Sequence, residues 1–304
     1  MNNQGMNCGR HTENNKEPLI NQASDLLGPF SHKGITMSDR VEARPRQISP
    51  AVPGLVSLVQ ITDCHISAAA EECLYGLNTR RSFEAVSKAV VDNCGHLDLL
   101  LATGDLSDDG SAESYAYLAQ QFNDMDIATF WLPGNHDEID TLETHFTARH
   151  IDAAKHILVA NWQIVMLDST ISGEIHGRVG KSQLQFLNNC LRDYPDRYAL
   201  VCLHHQALET GSLWLDRIGL EDSGHVRKEI AQHDNVRAVL WGHVHQETYQ
   251  TIGGIEWMST PSSCVQFKPY SMDFALGTEA PGYRHLELYP DGRIATGIHR
   301  VDHV

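Results

Sequence analysis

The chain has 304 residues, of which 41% are hydrophobic and 20% are charged, values typical of a soluble globular protein with one substantial core. The 39 acidic and 23 basic residues give a formal net charge of -16, which argues against general binding to nucleic acids or to anionic membranes. Since no run approaches the roughly 18 apolar residues that span a bilayer, and the N-terminal residues lack a hydrophobic signal core, the sequence predicts a cytoplasmic protein.

Residues 1–50 are predicted to form a disordered extension, because they are rich in Asn, Gln, Ser, Pro and charged residues and carry only short apolar patches. The remaining residues, 51–304, are predicted to form one domain.

Short apolar runs alternate with amphipathic segments from Gly54 onward, a pattern typical of an α/β protein. A helix is predicted over Ser82–Asp92, because Phe83, Val86 and Val90 recur at i, i+3 and i+7. The predicted strands are Leu55–Ile61, Leu97–Ala102, Ala128–Leu132, Trp162–Leu167, Tyr198–Leu203 and Arg237–Trp241.

The pattern changes after Trp241. Thr248–Ser259 and Arg284–His299 are predicted to form hairpins, with Gly-Gly and Asp-Gly pairs as their turns. The sheet is therefore expected to finish antiparallel.

Polar residues follow the first predicted strand, where open α/β sheets place their ligands. Asp63 and His65 are two residues apart, and in an extended backbone such residues point the same way. One carboxylate and one imidazole can then reach a single metal ion. By itself, this triplet is also typical of a surface Asp and a structural His.

Gly104 and Asp105 follow the second predicted strand. Glycine permits a sharp turn there, and the two oxygens of the Asp105 carboxylate can bridge two cations. A plain turn or helix cap is the alternative, and it is the interpretation we give to Asp108 and Asp109, which precede a predicted helix beginning near Ser111. Those two residues are left out of the predicted site.

The tetrapeptide Gly134-Asn135-His136-Asp137 follows the third predicted strand and is more specific than the first two motifs. The Asn135 carbonyl can bind a hard cation, and the pKa of a histidine such as His136 lies near neutrality. Metal binding and proton transfer can therefore meet in one loop.

Histidines follow two further predicted strands, as the pair His204-His205 and as His243 and His245 two residues apart. A lone His is usually a structural residue, but a Gly followed by two such His after a buried strand is a more specific indication of a metal site. Because the side chains of His204 and His205 point to opposite sides, we expect only one of them to bind metal.

Together the motifs offer seven oxygen and nitrogen ligands, enough for two ions about 3.5–4 Å apart that share one carboxylate. The predicted ligands are Asp63, His65, Asp105, Asn135, His204, His243 and His245.

In order along the chain, the blocks D-x-H, GD, GNHD, HH and GHxH resemble the calcineurin-like metallophosphoesterase superfamily over residues 55–250. The resemblance implies an α/β fold of four layers, an αββα double β-sandwich, with residues 51–304 as the catalytic domain. It implies one ion held by Asp63, His65, Asp105 and His245, and another held by Asp105, Asn135, His204 and His243.

Longer blocks are similar to the bacterial class III cyclic AMP phosphodiesterases. They are LYGLNT at 74–79, GDLSDDG at 104–110, WLD at 214–216 and TPSSCVQFKP at 260–269. This resemblance implies hydrolysis of 3′,5′-cyclic AMP to 5′-AMP by a metal-bridged hydroxide. Two divalent ions are implied, Mn²⁺ or iron foremost and Zn²⁺ as a further candidate, and a homodimer would fit the family.

His136 is the candidate proton donor to the leaving 3′ oxygen and a substrate contact, with Asp137 as the residue that orients it. Asn78 is a second candidate for substrate binding, and a structural loop role is its equal alternative.

Two other functions stay open at this point. One is a phosphodiesterase that acts on glycerophosphodiesters, nucleotides or a broad range of esters. The other is a non-catalytic scaffold that keeps the fold for protein contacts, since a fold by itself does not prove catalysis.

Overall fold

A computed structural model describes residues 44–302, all of which belong to one compact unit of the chain. Most of the predicted extension, residues 1–43, lies outside the described residues. Its end does not: Arg46–Ile48 form strand β1, which pairs in parallel with residues 157–159. The prediction of disorder up to residue 50 is therefore wrong at these residues, because a partner strand distant in sequence supplies their hydrogen bonds.

The strands and helices alternate along the described chain. In order they are β1, β2 (Val56–Ile61), β3 (Cys73–Leu74), β4 (Leu77–Asn78), α1 (Thr79–Asn93), β5 (Leu99–Thr103), α2 (Ala112–Asp124), β6 (Thr129–Leu132), α3 (Ile139–His145), β7 (Ile151–Asp152), β8 (His156–Val159), β9 (Trp162–Met166), α4 (Gly180–Asp193), β10 (Tyr198–Cys202), α5 (Leu213–Asp216), α6 (Ser223–Ile230), β11 (Val236–Trp241), β12 (Thr248–Ile252), β13 (Ile255–Ser259), β14 (Gly282–Leu288) and β15 (Ile294–Arg300). The six predicted strands and the predicted helix are confirmed, with bounds that move by at most a few residues.

Two larger sheets contain nearly all of these strands. One has the order β1-β8-β9-β10-β11-β13-β12 and the other the order β15-β14-β2-β5-β6-β7. Both predicted hairpins form, as β12 with β13 and β14 with β15. They belong to different sheets, and β13 also pairs in parallel with β11, so the antiparallel finish is divided between the two sheets.

The two sheets face each other across a shared apolar core. Leu58, Leu101 and Leu132 contribute from one sheet, while Trp162 and Leu240 contribute from the other, and all are buried. Helix α1 buries Phe83, Val86 and Val90, the residues whose spacing predicted it. Helix α2 packs against both α1 and α3, and this group contacts one sheet through α1 on β14 and α2 on β7. Helices α4 and α6 pack against each other. The predicted α/β sandwich is confirmed.

The polar motifs lie where the inner strands end. Strands β2, β5 and β6 are parallel neighbours in one sheet, and β10 and β11 are parallel neighbours in the other. Because parallel strands end at the same edge, five loops meet at one end of the sandwich. Among the described residues, no helix is long and apolar enough to cross a membrane.

Candidate metal centre

The structure brings all seven predicted ligands to this common edge. Six of them are buried and Asn135 is half-buried. Six of them, together with His136 and His205, place their ligand atoms in overlapping groups in which each atom lies within 4.8 Å of the others. The groups are Asp63, His65 and His245; Asp63, Asp105 and His204; His65, Asp105 and His136; and His204, His205 and His243.

The side chains converge for a different reason from the one that their spacing indicated. Asp63, His65, Asp105, His243 and His245 all have φ between 46° and 63°, in the left-handed region that non-glycine residues rarely adopt. The extended backbone that we predicted for Asp63 and His65 is therefore wrong. The left-handed loops curl each side chain toward one point, and such strain is concentrated at functional sites.

The first group contains Asp63, His65 and His245. The Asp63 carboxylate lies 3.4 Å from His245 Nε2 and accepts hydrogen bonds from the His243 amide at 3.0 and 3.1 Å. His65 Nε2 lies 3.2 Å from His245 Nε2. Two imidazole nitrogens therefore face each other with a carboxylate beside them.

Asp105 lies between the groups. Its Oδ2 atom is 3.6 Å from His65 Nε2 and 3.3 Å from His204 Nε2, while Oδ1 accepts a hydrogen bond from the His136 amide at 2.9 Å. One carboxylate thus reaches both sets of nitrogens, as a bridging ligand requires.

The second group is built around His204. Its Nε2 atom lies 3.3 Å from Asn135 Oδ1, and its ring centroid lies 5.2 Å from that of His243. These residues come from loops of both sheets, so the second group exists only when the sheets pack face to face.

Hydrogen bonds at the rear of three rings turn the other nitrogen of each ring toward the centre. The protein carbonyls that accept from His245 Nδ1, His204 Nδ1 and His243 Nε2 belong to Val265, Thr103 and Ile218, at 2.8, 2.9 and 3.1 Å. A carbonyl only accepts, so each of these ring nitrogens must carry the hydrogen, and the other nitrogen of the neutral ring holds a lone pair.

The donor set fits cations. In His65, Nδ1 lies 3.1 Å from an Asp108 oxygen, which places the hydrogen on Nδ1 and the lone pair on Nε2. Lone pairs of His65 and His245 then oppose each other at 3.2 Å. Such an arrangement needs a positive charge between the nitrogens, and buried imidazole with carboxylate is a ligand set for first-row divalent ions.

The charges of the centre shift its pKa values strongly. Burial lowers the pKa of His204, but the charge of Asp105 outweighs that effect and raises it to about 9. Burial and the charge of His204 lower the pKa of His243 to about 3. Despite burial, the pKa of Asp105 is held well below its usual value by His204 and His136. Without metal, the His204–Asp105 pair therefore holds a proton inside the centre.

His205 is not available as a ligand although it lies in one of the groups. Its Nε2 atom donates to the Ile175 carbonyl at 3.1 Å, and its Nδ1 lies 2.8 Å from the Ser169 hydroxyl. Both ring nitrogens are thereby engaged. This agrees with the expectation that only one of His204 and His205 faces the metals.

His136 lies at the open side of the centre, with its side chain 42% exposed. Burial lowers its pKa, but the charges of Asp105, Asp108 and Asp137 together raise it. Its Nδ1 lies 3.4 Å from an Asp108 oxygen. These charges therefore favour the charged form of the imidazole, and its exposure lets the ring reach a bound molecule.

Asp108 lies in the site although the sequence analysis left it out. One of its oxygens contacts both His65 Nδ1 and His136 Nδ1, so it joins a candidate ligand to the candidate proton donor. Asp109 has the turn role expected for it, accepting hydrogen bonds from the amides of Ala68 and Ser111, while Ser111 is the N-cap of helix α2. Two adjacent aspartates ahead of a helix carry no local signal that separates these roles.

Asp137 contacts the loops rather than the imidazole. Its carboxylate accepts hydrogen bonds from the amides of Leu106, Ser107 and Gly134 and from the Tyr115 hydroxyl, at 2.9–3.2 Å. It therefore ties the loop after β6 to the loop after β5.

Asn78 is the N-cap of helix α1. Its side-chain carbonyl accepts from the Arg81 amide at 2.9 Å, and its amide donates to the Ala70 carbonyl at 2.9 Å. Both polar groups are engaged, so the geometry favours the structural alternative for this residue over substrate binding.

Gly242 permits the close approach of the loops after β11 and β2. A Cβ atom at this position would lie 2.1 Å from Thr62 Oγ1 and 2.6 Å from an Asp63 oxygen. A side chain there would displace a candidate ligand, which explains why the two histidines follow a glycine.

Comparison with known proteins identifies a family. The model of the calcineurin-like phosphoesterase family matches residues 56–247, which include all seven predicted ligands. The 3′,5′-cyclic adenosine monophosphate phosphodiesterase CpdA of Haemophilus influenzae is 39% identical over 248 residues, covering 81% of this chain and 90% of that protein. The 3′,5′-cyclic-nucleotide phosphodiesterase of Nostoc is 38% identical over 246 residues, covering 81% and 92%.

Solved structures share the fold at low sequence identity. A dimetal phosphatase from Danio rerio superposes with a TM-score of 0.56 at 13% identity, covering 83% of this chain and 100% of that one. A purple acid phosphatase from yellow lupin gives 0.59 at 14% identity, covering 83% of this chain and 52% of that one.

Proposed function

Because this chain belongs to the calcineurin-like phosphoesterase family, we propose that it hydrolyses 3′,5′-cyclic AMP to 5′-AMP at a dinuclear centre of divalent metal ions. The chain is a metal-dependent phosphodiesterase, as its relatives are named. The observation that carries the proposal is the convergence of buried imidazole lone pairs on the carboxylates of Asp63 and Asp105.

The proposed ligands of one ion are Asp63, His65, Asp105 and His245, and those of the other are Asp105, Asn135, His204 and His243. When bound, two such ions lower the pKa of a water and neutralise charge on the phosphoryl oxygens. The lone pairs described above and the reach of Asp105 to both sets support this division.

His136 is proposed to donate the proton that the reaction needs. The attacking water loses a proton to solvent as its oxygen bonds to phosphorus, the bond from phosphorus to O3′ breaks, and the electron pair of that bond leaves on O3′. Protonated His136 delivers a proton to this oxygen, so that the products are a 3′ hydroxyl and a 5′ phosphate. Its exposure and raised pKa suit this role.

Asp108 and Asp137 are proposed as positioning residues. Asp108 holds Nδ1 of the His136 ring, which leaves Nε2 to face the substrate. Asp137 acts through the backbone, because its hydrogen bonds fix the loop that carries His136. Neither residue needs to touch the phosphate.

The identity of the metal ions and the bounds of the catalytic domain are proposed from the family resemblance. We propose Mn²⁺ or iron as the ions, with Zn²⁺ as the next candidate, and assign catalysis to residues 51–304. A cytoplasmic location, a homodimer and the lack of binding to nucleic acid stay predictions, the first and last supported by the composition and the charge of -16.

The test is to strip the purified protein with a chelator, restore Mn²⁺ and follow conversion of cyclic AMP to 5′-AMP. We expect turnover only with metal, and we expect Asp105→Ala to lose it because the bridging ligand is gone. Metal content, measured in both proteins, separates loss of ions from unfolding.

Other outcomes would select the alternatives. Cleavage of an activated aryl phosphodiester without cleavage of cyclic AMP would keep the site but assign another phosphodiester as substrate. Failure to cleave either compound, with both ions bound, would favour a non-catalytic scaffold.

A further inference from the structure

Four aromatic side chains form a continuous surface beside the metal centre. We call Tyr75, Trp214, Phe267 and Phe274 the aromatic wall. Its inner end is Phe267, whose ring stacks on that of the candidate ligand His245 with centroids 4.2 Å apart and planes 10° apart. The wall therefore begins at the reaction site itself.

From Phe267 the ring contacts lead outward. The centroid of Phe274 lies 5.6 Å from that of Phe267, and the centroid of Tyr75 lies 5.1 Å from that of Phe274. Trp214 supports them from one side, 5.0 Å from Phe267 and 5.2 Å from Phe274. The exposure rises along this path, since Phe267 is half-buried while Phe274 is 40% and Tyr75 is 55% exposed.

The segment that carries two of these rings is fixed at its base. Phe267 and Leu276 form an antiparallel bridge, Lys268 donates to the Ala275 carbonyl at 2.8 Å, and Phe267 donates to the His245 carbonyl at 3.3 Å. The wall thus has a defined position relative to the metal ligands.

Tyr75 is held on a separate segment of the chain. It forms the tight turn of the β3–β4 hairpin together with Gly76, with φ of 49° and 88°. The outer end of the wall is therefore positioned by a hairpin distant in sequence from the segment that carries Phe267 and Phe274.

We propose that the aromatic wall binds the base of the nucleotide substrate by stacking on the exposed rings of Tyr75 and Phe274. This inference rests on the proposed function. A nucleotide held by its phosphate at the two ions carries its base one sugar away, and the ring contacts lead outward from the candidate ligand His245 through Phe267 to Phe274 and Tyr75. The base is uncharged and flat, and stacking on aromatic rings is how proteins bind bases without reading their edges.

The size of the wall favours a base over a protein partner. A few rings present far less than the roughly 1,000 Å² that a stable protein interface needs. Stacking also predicts weak discrimination, because every base has a π face. We therefore expect cyclic AMP and cyclic GMP to depend on the wall to a similar degree.

The experiment compares cyclic AMP with methyl riboside 3′,5′-cyclic phosphate, which has the same phosphodiester without a base. For Tyr75→Ala and Phe274→Ala we expect the KM for cyclic AMP to rise about five- to tenfold, with kcat retained. The KM for the analogue should not change. Both side chains are exposed, so these substitutions leave the core intact.

Matched variants identify stacking as the cause. Tyr75→Phe keeps the ring and should retain the low KM for cyclic AMP. Phe274→Leu keeps apolar volume but loses the ring, so its KM for cyclic AMP should rise. Tyr270→Ala, at an 82% exposed position of the same segment outside the wall, should have no effect. Parallel rises in KM for cyclic AMP and for the analogue, or no rise for either, would overturn the inference.

A binding measurement separates this inference from the proposed function. We would titrate the metal-loaded protein with 5′-AMP and with ribose 5-phosphate. If the wild-type protein cleaves neither cyclic compound but binds 5′-AMP more tightly through Tyr75, the hydrolytic proposal fails and the subsite stands. Equal affinity for the two ligands overturns the subsite. If Tyr75→Ala changes the oligomeric state in solution and leaves both KM values unaltered, the inference is overturned and the wall is assigned to contact with a second copy of the chain.

Discussion

The floor and the rim of the candidate site are built in different ways. On the floor, Asp63, His65, Asp105, His204 and His245 are buried. All of them except His204 have left-handed backbone, and the rings of His204 and His245 each make a hydrogen bond to a carbonyl on the side away from the centre. On the rim, the exposed rings of Tyr75 and Phe274 and the capping residue Asn78 lie on a hairpin and a loop. The floor holds charge in a fixed geometry, whereas the rim offers an apolar surface to whatever the floor holds.

The chemistry on the phosphate and the proposed binding of the base therefore rest on separate parts of the structure. His136 and Asp108 lie at the boundary, since one is exposed and the other contacts both the floor and His136. Substitutions on the floor or at the boundary should change turnover or metal affinity, while those on the rim should change KM or stability.

The largest effect is expected for His136→Ala. Loss of a general acid should lower kcat for cyclic AMP about 10²- to 10⁴-fold, with the metal content unchanged. Steady-state kinetics with an activated 4-nitrophenyl diester gives the control, because its leaving group needs no proton and should lose much less. An equal loss on both substrates would contradict proton donation by His136.

Asp108→Asn should have the next largest effect. It weakens the contacts to His65 and His136, and loss of such an orienting partner typically lowers metal affinity or activity 10- to 100-fold. Asp109→Asn is the matched control, because its carboxylate caps a turn and should leave kcat unchanged. Equal effects of the two substitutions on kcat and metal affinity would contradict an orienting role of Asp108.

Metal affinity should depend on pH with a defined sign. The pKa of His204 in the metal-free protein is raised to about 9, so near neutral pH a metal must displace its proton. Affinity should therefore rise about tenfold per pH unit as pH increases toward 9 and level off above it. Titration with Mn²⁺ at several pH values measures this, and His204→Gln should flatten the curve. An affinity that stays constant over this range would contradict the protonated pair.

The smallest effect is expected on the rim at Asn78. Removing the N-cap with Asn78→Ala should lower the free energy of unfolding by about 1 kcal/mol while KM for cyclic AMP stays the same. Asn78→Ser keeps a capping oxygen and should recover most of the stability. Chemical denaturation and kinetics together test this. A rise in KM without a loss of stability would instead support substrate binding.

Much of the fold could be predicted because it follows from local patterns. The apolar runs at β2, β5, β6, β9, β10 and β11 and the i, i+3, i+7 spacing of Phe83, Val86 and Val90 are visible in the sequence. Strands β1 and β8 were missed, since three or four residues carry little periodicity and β1 obtains its hydrogen bonds from a strand more than a hundred residues away.

The site was predictable in its residue types but not in its contacts. Asp108 and Asp109 are chemically identical neighbours, and only the positions of His65 and His136 separate their roles. Asp137 was expected to orient His136, but the sequence does not show that its carboxylate accepts hydrogen bonds from amides of the loop after β5. The aromatic wall joins residues about two hundred positions apart, and no spacing rule connects them.

The donor chemistry follows from the sequence alone, because Asp, Asn and His placed after apolar strands define which ions can bind and near which edge. Tertiary packing sets which nitrogen of each ring faces inward, which aspartate lies between the two groups of candidate ligands and which rings form the rim. Those features depend on carbonyls such as Val265 and Thr103 and on a left-handed backbone at Asp63 and Asp105. Both arise only when loops from the two sheets are packed against each other.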